Sequence, residues 1–68
     1  MSYRIISIDE KGSVTNWGET AAPITTIRYF SDSFDLNGSD EFFLMDVTHE
    51  KLYPLKQVIK LLKEKGEL

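Results

Sequence analysis

The chain has 68 residues, of which 41% are hydrophobic and 28% charged, with a net charge of −3 at pH 7 and no cysteine. This composition excludes disulfides and thiolate metal sites, and it is too apolar for a disordered chain. The length predicts one small domain over residues 1–68, with a core thin enough that oligomerisation would be a useful supplement.

The charges are unevenly distributed along the chain. Residues 29–50 carry six carboxylates and no Lys or Arg, whereas residues 51–68 carry five Lys and two Glu. A general nucleic-acid-binding domain should be basic overall, so nucleic acid is an unlikely partner. The longest unbroken apolar run covers residues 42–45, far short of the roughly 20 residues that a membrane span needs. We therefore expect a cytoplasmic protein with no membrane association.

The first predicted element is a strand over Tyr3–Ile8, a short apolar segment rich in β-branched residues. Residues 12–23 are predicted as a loop, because glycine, asparagine and proline recur there among polar residues. Trp17 lies in this segment without a periodic apolar partner. Its side chain must therefore either fold back onto the core or stand exposed.

The second and third predicted strands cover residues 24–30 and 41–48, both of high strand propensity. The segment Asp-Leu-Asn-Gly at 35–38 has the signature of a type I turn, and a left-handed glycine would close it as a three-residue hairpin loop. This turn predicts a register with Arg28 opposite Asp46, whereas a two-residue turn would oppose like charges.

The last predicted element is an amphipathic helix near the C-terminus. Its apolar residues recur at i, i+3, i+4 and i+7, and they are Leu55, Val58, Ile59 and Leu62. Pro54 suits the first helical position and Gly66 the C-terminal stop. The sequence thus predicts an α+β fold in the order β-β-β-α, a three-stranded antiparallel meander with this helix packed on one face.

The acidic stretch 34–43 also has two functional interpretations besides the hairpin turn. An EF-hand aligned with Gly38 at its sixth position would place Leu44 at the twelfth, where a bidentate Glu is required, so calcium binding is not expected. The second interpretation is mimicry, in which carboxylates spaced like phosphates occupy the basic groove of a nucleic-acid-binding enzyme.

The sequence carries no recognisable catalytic constellation. His49 is the one histidine, and no second histidine or cysteine accompanies it to form a zinc site or a nucleophile–base pair. The four glycines match neither a phosphate-binding loop nor a dinucleotide-binding motif. We expect neither an enzyme nor a bound metal or cofactor.

The predicted hairpin has more apolar surface than one helix can cover. In the predicted register, residues 27, 29, 43, 45 and 47 share the face assigned to the helix, which leaves a second aromatic face uncovered. Either Trp17 or a second molecule must cover that face, since an open aromatic cluster would exceed the apolar patch of a typical monomer. The predicted protein-interaction residues comprise this face, with Trp17, Phe30, Phe34, Phe42 and Leu44, and an acidic rim of Asp32, Asp35, Asp40 and Glu41.

The sequence therefore favours a small protein-interaction module that binds a protein partner or a second copy of itself as a homodimer. The alternative is an acidic, phosphate-mimicking inhibitor of a nucleic-acid-binding enzyme.

Overall fold

The computed structural model describes residues 2–68, which form a four-stranded antiparallel sheet and two helices. In chain order the elements are β1 (Tyr3–Ile8), β2 (Val14–Thr20), α1 (Pro23–Ser33), β3 (Glu41–Asp46), β4 (Lys51–Pro54) and α2 (Leu55–Glu64). The strand order across the sheet is β2-β1-β3-β4. The predicted α+β class is confirmed, but the prediction of three strands and one helix is wrong.

The hydrophobic core lies between one face of the sheet and the helices. It contains Ile5 and Leu44, paired across β1 and β3, together with Ile27 and Phe30 of α1 and Leu55 and Ile59 of α2. Burial of such a side chain contributes roughly 1.5–3 kcal/mol. Because α1 and α2 both supply residues to this one cluster, both helices pack on the same side of the sheet.

The strand β1 has the predicted bounds, Tyr3–Ile8. Its alternating side chains point to opposite faces of the sheet. Ile5 and Ser7 are buried towards the helices, whereas Ile6 and Ile8 point the other way and are only partly buried. This alternation determines which side chains of the neighbouring strands share each face.

The prediction of a loop over residues 12–23 is wrong, because β2 occupies most of that segment and pairs with β1. The register shifts between Arg4 and Ile6, which marks a bulge opposite this part of β1. Gly18, in the bulged segment, has φ +110°, and its N–H bonds to the side-chain oxygen of Asn16 at 2.9 Å. The turn-forming residues thus mark a bulge within a strand.

The predicted strand over residues 24–30 is a helix, α1. Pro23 occupies the first helical turn, where its missing N–H is not needed. Ile27 and Phe30 lie three residues apart and are both buried, so tertiary burial of one helical face overrides the strand propensity of the β-branched residues. The hydroxyl of Thr26 donates to the carbonyl of Ala22 at 3.1 Å within the first turn.

The turn at residues 35–38 forms, but it joins α1 to β3 and closes no hairpin. The N–H of Gly38 bonds to the carbonyl of Asp35 at 3.3 Å, while the Asp35 carboxylate accepts the N–H of Asn37 at 3.0 Å. Gly38 is not left-handed, contrary to prediction. The predicted pairing of Arg28 with Asp46 is also wrong, because β3 pairs with β1 and β4.

The third predicted strand corresponds to β3, which ends at Asp46, two residues earlier than predicted. A turn over residues 47–50 follows and leads into β4, a strand that the sequence did not predict. The predicted C-terminal helix is confirmed as α2. Gly66, with φ +75°, and the residue after it donate to the carbonyls of Lys63 and Leu62, which ends the helix in a Schellman motif.

The assignment of the helix to the face carrying residues 43 and 45 is wrong. Phe43 and Met45 lie opposite Ile6 and Arg4 in register, so they share the face that points away from the helices. Within residues 2–68, no helix is long and apolar enough to cross a bilayer.

Candidate interaction surface

Trp17 packs on the aromatic residues of the helix-covered face. Its ring centroid lies 5.7 Å from that of Phe30 and 5.1 Å from that of Phe34, both in edge-on geometry. Phe42 follows at 6.2 Å, and Phe30 and Phe34 stack on each other at 5.0 Å. These four rings form the aromatic cluster, which joins β2, β3 and the C-terminal end of α1.

The predicted aromatic site residues therefore do not form an open sheet face. Phe30 and Leu44 are buried in the core, and Phe34 and Phe42 are half-buried beside it. Trp17, 44% exposed, lies against the three phenylalanines. Of the two alternatives for covering them, the structure has the intramolecular one.

A different apolar surface lies on the other side of the sheet. Residues paired across antiparallel strands point to the same face. Some side chains of β1 and β3 point away from the helices. The residues of β2 and β4 that pair with them therefore lie on the same surface. We call it the open sheet face. It includes Asn16 and Pro54, and its larger apolar residues are Ile6, Ile8, Val14, Phe43, Met45 and Leu52.

The open sheet face belongs to no part of the core. None of its apolar side chains joins the buried cluster or its partly buried neighbours. Val14 and Leu52 are 63% and 51% exposed, and the remaining four are partly buried by neighbours within the sheet. Within residues 2–68, both helices pack on the opposite side, so this face has no covering layer.

The apolar residues form a stripe that crosses the open sheet face diagonally. One row across the strands contains Val14 and Ile8, and the next contains Ile6 and Phe43. The third row ends with Met45 and Leu52, so each row is displaced towards β4 relative to the one before. The stripe thus runs from the edge strand β2 to the edge strand β4.

Charged residues occupy the two corners beside the stripe. Arg4 and Glu19 are paired in register on one side, with Arg4 Nε donating to Glu19 Oε1 at 3.2 Å. Glu41 lies on the other side, opposite Ile8 in register. The open sheet face therefore has the Arg4–Glu19 ion pair at one corner and the carboxylate of Glu41 at the diagonally opposite corner.

Three of the predicted rim residues line depressions that also include lysines of α2. Asp35 lines a groove with Lys56 and Lys63, and Asp40 and Glu41 line a neighbouring depression that also includes Lys56. Asp32 is exposed on α1. Amines beside the carboxylates reduce the local negative potential that a phosphate mimic requires.

Asp46 and His49 form a hydrogen-bonded pair in the turn after β3. His49 Nδ1 lies 2.8 Å from Asp46 Oδ2, and the His49 N–H donates to Asp46 Oδ1 at 3.2 Å. The side-chain hydrogen bond with His49 lowers the pKa of Asp46 below its ordinary value of 3.8, against the opposing effect of burial. The pair closes the turn between β3 and β4, where Glu50 has φ +54°. Within residues 2–68, no group of three or more potential ligands could hold a metal ion.

Comparison of the chain with protein-family models, curated proteins and solved structures finds no match. The geometry of the surface is therefore what bears on function. The open sheet face does not follow from the predicted register, in which residues 41–48 pair with residues 24–30, whereas in the structure β3 pairs with β1. The alternation of Ile6 and Ile8 in β1 with Ile5 and Ser7 was the available signal, since it places apolar side chains on both faces.

Proposed function

We propose that the chain is a small, non-catalytic, cytoplasmic protein-interaction module that binds a protein partner through the open sheet face. The observation that carries this proposal is the position of α1 and α2, which pack on one side of the sheet while the apolar stripe lies on the other.

The energetics of burial support this role. Removal of apolar surface from water contributes about 25 cal/mol per Å². A contiguous stripe of six apolar side chains with polar residues at its corners is typical of interaction sites, whereas scattered apolar residues are common on any surface. Phe43 and Met45 at the centre are residue types enriched in the cores of interfaces.

The polar residues beside the stripe support a protein partner in particular. The corner formed by Arg4 and Glu19 and the corner with Glu41 present both signs of charge. A protein surface can match such a pattern with its own charges, and rim charges of this kind determine orientation and association rate. A nucleic acid would instead require a predominantly basic face.

The proposal can be tested by site-specific photo-crosslinking in the native cell. A photo-reactive amino acid at Leu52 would sample the open sheet face, and the same residue at Leu61 of α2 would be the matched control. The two leucines are 51% and 50% exposed, so neither substitution disturbs the core.

We expect discrete crosslinked species from position 52 and none of the same size from position 61. A second arm adds Val14→Lys, a change at a 63% exposed position at the far end of the stripe. This substitution should weaken the crosslinks from position 52, because a charge there must be desolvated on binding. Identical products from both positions, or none from position 52, would contradict the proposal.

A further inference from the structure

We infer that the partner at the open sheet face is a second copy of this chain, related by a two-fold axis that runs along the apolar stripe. This inference rests on the proposed function and specifies its partner. A two-fold interface requires a self-complementary surface, because the same patch contributes to both sides.

The diagonal course of the stripe determines which axis can satisfy this requirement. Consider two-fold axes that lie in the plane of the open sheet face. An axis perpendicular to the strands would place Val14 of one copy on the region of Glu19 of the other. An axis parallel to the strands would place Ile8 of one copy on Glu41 of the other. Both arrangements bury a carboxylate against an apolar side chain. An axis along the stripe superposes the stripe on itself and brings Asn16, rather than a carboxylate, next to Ile8 of the other copy.

This axis also brings the two charged corners together. Rotation about the stripe places the Arg4 corner of one copy opposite the Glu41 corner of the other. Because the axis is two-fold, this contact occurs twice in the dimer. The guanidinium of Arg4 has five N–H donors, of which Nε engages Glu19, so the group can bridge two carboxylates. Each side of the apolar centre of the dimer therefore has the guanidinium of Arg4 between two carboxylates, Glu19 of the same copy and Glu41 of the other.

The same geometry predicts how the two sheets cross. Strands lie about 4.8 Å apart, and alternate residues along a strand are about 6.8 Å apart. Three rows and four strands thus span nearly equal distances, so the stripe lies at about 45° to the strands. Rotation about it makes the strands of the two sheets cross at about 90°, one of the two preferred angles for packed sheets.

The dimensions of the molecule are compatible with this interface. Its shortest extent is 17 Å, the thickness of one sheet layer and one helix layer, and the other extents are 34 and 26 Å. A standard interface of about 800 Å² per partner is about a sixth of the accessible surface of 4745 Å². A second copy would convert two layers into four and give the thin core an additional apolar layer.

The decisive experiment mixes two charge-reversal variants of the purified chain. In an Arg4→Glu dimer, carboxylates would meet at both corners, and in a Glu41→Arg dimer, guanidinium groups would meet. When the two variants are mixed, each heterodimer has an opposite-charge pair at both corners. We expect native mass spectrometry to detect heterodimers that are at least about tenfold tighter than either variant homodimer.

A second measurement tests the apolar part of the interface by sedimentation equilibrium. Leu52→Lys should raise the dimer Kd by about tenfold or more, whereas the matched Leu61→Lys on α2 should leave it at the wild-type value. Circular dichroism of each variant verifies that the fold is retained.

Each outcome bears on the inference. Variant homodimers as tight as the wild type, with no preference for heterodimers, would overturn the proposed axis. A wild-type chain that stays monomeric up to millimolar concentration would overturn the second copy as partner. In that case, crosslinks from position 52 to a different protein would still support the proposed function. The absence of any crosslink would contradict both the proposed function and the second copy as partner.

Discussion

The indole Nε1 of Trp17 donates a 2.8 Å hydrogen bond to Oγ of Ser7, a buried residue of the neighbouring strand. This bond connects β2 to β1 on the helix-covered face and directs the ring onto the aromatic cluster. Ser7 is one of two buried polar residues among those described, and Trp17 is its side-chain partner.

We expect Trp17→Phe to lower the free energy of unfolding by about 1–3 kcal/mol, because it leaves the Ser7 hydroxyl buried without its donor. Ser7→Ala is the matched variant, and the double substitution should cost less than the sum of the single ones. Urea denaturation of all four proteins gives the coupling energy, expected at about 0.5–1.5 kcal/mol. Strictly additive costs would mean that the bond contributes nothing to stability.

Substitutions in α1 distinguish a helix from the strand that propensity predicts. A strand would place Ile27 and Tyr29 on the same face, whereas in α1 Ile27 is 1% exposed and Tyr29 is 61% exposed. Ile27→Ala should therefore cost about 2–5 kcal/mol through the cavity it leaves. Tyr29→Ala should cost only about 0.5–1.5 kcal/mol, the value of its edge contacts with Phe30 and Phe34. Equal losses in thermal or urea unfolding would be inconsistent with this helix.

The lowered pKa of Asp46 predicts a dependence of stability on pH. Since the folded-state pKa lies below the ordinary 3.8, the stabilising contribution is fully present above about 3.8 and is lost as the pH falls through the folded value. Urea midpoints measured between neutral pH and the acid range should show this loss in the wild type and not in Asp46→Asn.

The cause of that shift can be tested separately. His49→Ala removes the hydrogen bond that is the largest contribution to the lowered pKa of Asp46. An NMR titration of the Asp46 carboxyl should then move towards the ordinary value. An unchanged titration would assign the shift to the backbone N–H groups of the turn.

The bulge in β2 predicts that substitution of Gly18 lowers the stability of the fold. A Cβ at this position would meet nothing within 4 Å, but the φ of +110° disfavours any L side chain. Gly18→Ala should therefore cost about 1–3 kcal/mol through backbone strain alone. Gly38→Ala is the comparison, because that backbone is not left-handed and the added Cβ would lie 3.3 Å from the carbonyl of Asp35. Equal urea midpoints for Gly18→Ala and the wild type would contradict the strain.

The parts of the fold that depend on local pattern could be predicted from the sequence. The short β-branched apolar segment of β1 indicates only a strand, and the i, i+3, i+4, i+7 spacing in α2 indicates only a helix; both elements are confirmed. In α1, strand propensity and helical spacing compete within the same residues, and only the packing of Ile27 and Phe30 against the core decides between them. β2 is predicted as a loop because glycines such as Gly18 are typical of loops. The position of Gly18 in a bulge can be identified only once the partner strand is known.

The surface was harder to predict than the elements, because it depends on pairing. The predicted excess of apolar sheet surface depends on a register in which residues 24–30 pair with residues 41–48, and that pairing is wrong. Assignment of apolar side chains to a face requires the correct partner strand, since a change of partner or a shift of one residue moves every side chain to the other side. Pairing β3 with β1 directs Leu44 inward and Phe43 outward, opposite to the predicted assignment.

The strand order also determines how the chain can assemble. β1 is first in the chain but lies in the interior of the sheet, with β2 close in sequence on one side and β3 distant on the other. We expect the β1–β2 hairpin and the segment from β3 to α2 to form first, because their contacts are local, whereas the pairing of Ile5 with Leu44 closes a long loop. The seam between β1 and β3 should therefore form last and set the folding rate, so slower refolding is expected from substitutions at this seam than from those at either hairpin.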